Sequence, residues 1–171
     1  MLLRQSAKGL ILDATALIDF CWLDEWAWLQ EHYSPLFIAQ EVLESDRLEM
    51  ATRAAATRYL EPIALDTEEM FLSFMEFRLK APLLSEADRS TLALALHRCL
   101  LCVSDDAAMI AVCDEYSITY LRMLRLLSQM VKTGHKIAPE VIKMAEMLVQ
   151  ERGKWIKAAI LQEWRRSLAD G

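Results

Sequence analysis

Nowhere does the chain offer the roughly 18 uninterrupted apolar residues that a membrane-spanning helix needs, although 54% of its 171 residues are hydrophobic. That excludes a helical membrane span. It has only three histidines, His32, His97 and His135, and none lies near another at zinc-finger spacing, so a structural zinc is not expected. Cysteine is also sparse. Cys99-Leu-Leu-Cys102 has redox spacing, but it falls where a helix runs into a strand, whereas a thioredoxin-type pair opens a helix after a strand. Buried thiols are the expected reading of all four cysteines. The N-terminal stretch MLLRQSAKGLILDATALIDF has no small-residue cleavage site, and Asp13 and Asp19 interrupt it. It reads as a first strand and helix and not as a signal peptide, which makes the cytoplasm the expected compartment. Repeats, low-complexity tracts and linkers are missing too, and the length suits a single domain with a substantial core.

What the chain does have is acid in an ordered arrangement. Asp13 ends the apolar run in GLILDATALIDF, Asp88 stands in LSEADRSTLALAL, and Asp105-Asp106 follow the apolar run in LLCVSDDAAMIAV. Charge is unevenly distributed as well. Residues 1–121 carry 9 Lys+Arg against 20 Asp+Glu, or −11, and residues 122–171 carry 10 against 5, or +5. Ordinary helix surfaces account for such a split. A basic flank beside an acidic site, suited to a polyanionic substrate, accounts for it equally well.

Apolar runs at 9–12, 36–39, 63–65, 100–103 and 117–121 read as strands. Helices are expected from Thr15 to Trp22, from Asp24 to His32, over 40–60, from Asp66 to Lys80, from Ser85 to Arg98 and over 106–115. Beyond these the chain is helical, broken at Gly134 and near Gly153. Strands alternating with helices imply an α/β protein, an α/β/α sandwich around a mostly parallel sheet of about five strands with a C-terminal helical extension.

In an open parallel sheet the C-terminal ends of strands and the N-terminal ends of the following helices share one rim, where ligands bind. Each acid has a purely structural explanation. Ser85-Glu-Ala-Asp88 matches a capping box, and Asp13, Asp105 and Asp106 can each cap the helix that follows. Their convergence on one rim is harder to explain that way, because carboxylates gathered together repel one another unless protonated or neutralised by a cation. The pattern points to a divalent-metal site.

The order of these signals resembles the PIN domain. An Asp ends the first strand, an Asp stands seven residues before the last alanine of D-R-S-T-L-A-L-A, and S-D-D follows the fourth strand. Thr15 matches the small hydroxylated residue two positions after the first Asp, and DDAAMIAVCDEYSIT resembles the family's acidic turn, helix and last strand. The resemblance covers about residues 8–132, so 1–132 is expected to be a PIN-like domain and 133–171 a helical extension packed on it or on a partner. It implies a Mg²⁺- or Mn²⁺-dependent ribonuclease acting on single-stranded RNA, possible here as the toxin of a toxin–antitoxin pair, with an antitoxin protein as partner. By the same resemblance Asp13 and Asp106 hold the principal ion, Asp88 and Glu44 complete the acidic set, Thr15 supports it, and Asp105 is either a further ligand or a helix cap. One position departs from the family. The V-x-x-E pattern counted from Val42 reaches Ser45, with Glu41, Glu44 and Asp46 around it. Glu44 is favoured, with Glu41 close behind, and if neither serves, the chain is a catalytically weak or inactive module binding RNA or protein.

Other α/β families with an acidic rim fit less well. Asp13-Ala-Thr15 lacks the second Asp of a haloacid-dehalogenase phosphatase, and Tyr120-Leu-Arg122 lacks the lysine of a response-regulator receiver. Trp22 and Trp26, four apart, are expected on one helix face as core or subunit contact. Ile156, Ile160 and Trp164 form the apolar stripe of a tail helix that seeks a surface on its own domain, on a second copy in a homodimer, or on another protein.

Overall fold

A computed structural model describes residues 7–169. Five short strands carry the architecture: β1 (Leu10–Leu12), β2 (Leu36–Ala39), β3 (Glu61–Ile63), β4 (Leu101–Val103) and β5 (Tyr120–Leu121). They form one sheet in the order β3-β2-β1-β4-β5, and every pairing is parallel. The central strand β1 is Leu-Ile-Leu, each residue fully buried, because helices cover both faces and leave no polar side to alternate with. Gly9 opens this strand at φ +146, and a Cβ there would meet the Pro35 carbonyl at 2.6 Å. Only glycine lets β1 run so close to the entrance of β2.

Ten helices connect and flank the strands among the described residues: α1 (Ala14–Leu23), α2 (Trp26–Tyr33), α3 (Gln40–Leu43), α4 (Met50–Tyr59), α5 (Glu68–Lys80), α6 (Glu86–Arg98), α7 (Ala107–Tyr116), α8 (Met123–Lys132), α9 (Ala138–Gln150) and α10 (Ala158–Ala169). The result is the α/β/α sandwich with C-terminal helices that the pattern of the sequence implies. Register aligns the strand ends. Leu12 pairs with Ile38 and Val103, and Val103 pairs with Leu121. Asp13, Ser104 and Arg122 therefore follow directly at one edge, and the backbone ladder runs on into them, Asp13 N–H donating to the Val103 carbonyl at 3.2 Å and Ser104 N–H to that of Leu121 at 3.2 Å.

Several local expectations need correction. Residues 40–60 are not one helix. Helix α3 stops at Leu43 and α4 starts at Met50, with Leu48 buried in the loop between. Ser45 accepts from the Arg47 backbone N–H at 3.4 Å, a local bond that competes with helix continuation. The third strand lies at Glu61–Ile63 and not at 63–65, and it holds Pro62, which the open edge of a sheet tolerates. The fifth strand is shorter than 117–121, because Ser117 takes the left-handed conformation that ends α7. Trp22 and Trp26 do not share a helix face. The left-handed Asp24 separates α1 from α2, leaving Trp22 44% exposed while Trp26 is buried and stacked on Tyr59.

The tail packs on its own chain. Val141, Ala145 and Leu148 of α9 are fully buried, and the Trp164 indole N–H donates to the Ser128 hydroxyl of α8 at 2.8 Å. Of the expected stripe only Trp164 is buried, while Ile160 is 46% exposed.

Candidate acidic site at the C-terminal rim of the sheet

Asp13 is the N-cap of α1. Its Oδ1 accepts from Ala16 N–H at 2.7 Å, and its Oδ2 accepts from the Ser104 hydroxyl at the end of β4. The carboxyl is 2% exposed. Burial raises its pKa from 3.8 to about 7, against the lowering effect of the bonds from Ser104 and Ala16, and the negative fields of Asp88 and Asp105 push in the same direction as burial.

Asp88 completes a reciprocal capping box at the start of α6. Its backbone N–H donates to the Ser85 hydroxyl at 3.1 Å, and its Oδ2 accepts from Ser85 N–H at 3.1 Å. Helix α6 leads back into β4, so its N-terminus lies at the same rim as Asp13. Asp106 is the exposed N-cap of α7, with Oδ1 accepting from Met109 N–H at 2.9 Å. Both nearby explanations of these acids are thus realised: they cap helices, and Asp88 also acts on Asp13 through space. One oxygen of each, Asp88 Oδ1 and Asp106 Oδ2, stays outside those bonds.

Asp105 does something else. Its carboxylate accepts from Met123 N–H at the start of α8 at 3.4 Å and pairs with the Lys154 ammonium at 2.9 Å. It joins the rim to the C-terminal segment. Lys154 also meets the fully buried Asp19 at 2.7 Å, and Arg152 meets the other Asp19 oxygen at 2.6 Å. Burial opposes the charge on Lys154, but Asp105 and Asp19 outweigh it and raise its pKa.

A cleft of about 730 Å³ opens between α1, α3 and the start of α6, lined by Thr15, Ile18, Glu41, Ser45, Arg47 and Asp88. Glu41 is half-buried there, and its Oε2 is shielded from solvent with no hydrogen-bond partner among the described residues. Glu44 lies at the same cleft but is exposed, and its Oε1 accepts from the Gln40 side chain at 3.0 Å. Thr15 is exposed, with its carbonyl accepting from Arg152 at 3.5 Å.

The structure therefore brings Asp88 and Asp105 close enough to act on Asp13, with Asp106 next along the chain and Glu41 in the lining of the adjoining cleft. Among the described residues no three His, Cys, Asp or Glu side chains approach closely enough to hold a metal ion. Four participants escape sequence reasoning. Ser104 was legible in principle, as a hydroxyl between a strand end and two acids. Asp19 carried a faint signal, an acid on the buried stripe of α1. Lys154 and Arg152 carried none, because they meet Asp19 across more than a hundred residues.

A parallel α/β fold with a buried carboxyl, Asp13, in the fields of neighbouring acids at the strand ends defines a class of acidic-rim proteins. The family model that matches residues 9–170 is described as a PIN domain, and the chain belongs to the PIN-domain family. No curated protein and no solved structure matches it at a significant level. PIN domains are generally nucleases and typically depend on a divalent metal.

Proposed function

We propose that this protein is a divalent-metal-dependent endoribonuclease that hydrolyses phosphodiester bonds of single-stranded RNA, using Asp13, Asp88, Asp106 and Glu41. The observation that carries the reading is Asp13: a buried carboxyl pushed up to about 7 by burial and by its acidic neighbours is a group built for a cation. The donors suit a hard ion, since every candidate is a carboxylate or hydroxyl oxygen. Asp88 Oδ1, Asp106 Oδ2 and Glu41 Oε2 are the oxygens available to it beside Asp13. Mg²⁺ or Mn²⁺ bound there would lower the pKa of water and neutralise charge building on phosphate.

The chain's own part is orientation. Ser104 and Ala16 N–H fix the two oxygens of Asp13, and the capping bonds fix Asp88 and Asp106 at the starts of α6 and α7. We take Glu41 in place of Glu44 as the fourth acid because its oxygen is unpartnered and shielded. Asp105 is engaged by Lys154 and serves as a link to the tail. The toxin role and an antitoxin partner belong to the same proposal and are supported by family membership alone. No helix among the described residues is long and apolar enough to cross a membrane.

The test uses chelator-treated protein. Saturating Mn²⁺ at about 100 times its dissociation constant stabilises the parent by about 2.7 kcal/mol, roughly 5–10 °C in melting temperature for a chain of this size. Asp13→Asn is expected to lose that shift, and Asp13→Asn and Asp106→Asn are expected to lose Mn²⁺-dependent cleavage of a fluorescent single-stranded RNA. Parent-level cleavage by both variants rules the assignment out. Ser45 at the expected acidic position and the lack of three acids at ligand distance among the described residues favour a second reading, an RNA-binding module without cleavage. It predicts RNA affinity indifferent to chelator and no product with either metal.

A further inference from the structure

Two openings of opposite charge adjoin the rim. The cleft of Glu41 and Asp88 is lined by five acids and one base, Arg47, a net of −4. A second groove, of about 460 Å³, opens between the starts of α7 and α8 and the segment that joins α9 to α10. Its charged residues are Arg122, Lys154 and Lys157 against Asp105 alone, a net of +2. Asp13 feels Asp88 of the first opening and Asp105 of the second, and Arg122 follows β5 at the edge where Asp13 follows β1. Lys154 is held by Asp105 and Asp19, whereas the exposed Arg122 and Lys157 enter no ion pair among the described residues.

Trp155 gives this groove its apolar wall. At 79% exposure it is the most exposed Trp or Phe among the described residues. The segment that carries it is anchored, since Lys154 is 6% exposed and its backbone N–H donates to the Leu148 carbonyl at 2.8 Å. An indole held in water on an anchored backbone forgoes a large burial, and it is already in place for a flat ligand. Cations beside an aromatic face are how single strands are held, with bases stacked and phosphates paired. A duplex covers both faces of its bases, so one indole selects an unpaired base. An acidic protein segment would satisfy the cations and leave the indole without a ring to stack on. We propose that this groove binds one nucleotide of single-stranded RNA, its base on Trp155 and its phosphates on Arg122 and Lys157, beside the acidic rim. The choice of RNA rests on the proposed function, and the groove adds where that substrate is gripped.

Fluorescence anisotropy on the full chain in chelator tests this without cleavage. Trp155→Ala is expected to weaken binding of a short labelled single-stranded RNA at least about fivefold, and Trp155→Phe to keep most of it. Both are expected to melt like the parent, because the side chain faces solvent. Arg122→Ala combined with Lys157→Ala is expected to flatten the slope of log affinity against log salt by about 1.4, roughly 0.7 for each phosphate contact. A labelled hexaglutamate peptide is the charged control without rings. Trp155→Ala that binds RNA like the parent overturns the proposal. Equal losses of RNA and hexaglutamate also overturn it and assign the groove to an acidic protein segment. So does a parent that binds the RNA more weakly than about 100 μM, the weak end of non-specific binding. The nuclease reading is decided separately, by Mn²⁺-dependent product and its loss in Asp13→Asn.

Discussion

Asp13 shows how a single side chain can work against the fold that holds it. Its carboxyl titrates near 7 in the folded protein against 3.8 in an open chain. Between those values the folded state keeps a proton that the unfolded state has released, so stability falls as pH rises through the window and levels off above it. With metal chelated, the loss is on the order of 4 kcal/mol. Asp13→Asn keeps the shape without the charge, and its urea midpoint is expected to stay level from pH 5 to pH 8 where that of the parent declines. Equal declines in the two proteins would mean that Asp13 titrates like a surface acid. Asp13, Asp88 and Asp106 were readable in the sequence because each sits at a junction of strand and helix. The preference proposed for Glu41 over Glu44 was not, since both lie in a charged stretch and burial alone tells the shielded oxygen of Glu41 from the exposed Glu44.

Helix α6 raises the same question at the level of an element, because Asp88 both caps the helix and faces the rim. The two roles can be separated. Ser85→Ala removes the hydroxyl of the box and is expected to cost about 1 kcal/mol, keeping the carboxylate and most of the cleavage. Asp88→Asn keeps an acceptor for Ser85 N–H, so its melting temperature should hold while Mn²⁺-dependent cleavage falls roughly 10–100-fold. If cleavage follows the melting temperature in both variants, Asp88 is a cap and nothing more. Long elements with clear punctuation, such as α6 between Ser85 and Cys99 or α5 between Thr67 and Ala81, follow from their sequences almost to the residue. The stretch 40–60 did not, because no glycine or proline marks the break after α3, and the break depends on Leu48 turning inward. Pro62 argues against a central strand, but only the sheet order reveals that it lies on an edge.

For the whole molecule, the contrast between an acidic body and a basic tail was visible in the sequence, yet its use was not. Neither a plain solvated surface nor a flank for a polyanion describes Lys154 and Arg152, which reach into the body and neutralise Asp19 and Asp105. Fully buried residues of α9 and the Trp164 bond to Ser128 reinforce that attachment. We therefore propose that residues 133–169 fold with the rest as one unit, where the sequence left open whether the extension packs on its own domain or on a partner. Lys154 is 6% exposed and Asp19 fully buried, so Lys154→Met leaves an anion in the interior with Arg152 as its remaining ion-pair partner. Removing one partner of a buried pair costs about 3 kcal/mol or more, which corresponds to roughly 6–12 °C in melting temperature for this length. Asp19→Asn combined with Lys154→Met removes both charges and is expected to recover much of that loss, as coupled neighbours do in a double-mutant cycle. A single cooperative transition in the parent, shifted down in Lys154→Met and back up in the double variant, is the expected set of calorimetric traces. A tail that melts separately in the parent would show instead that the ion network lies on a surface between two independent units.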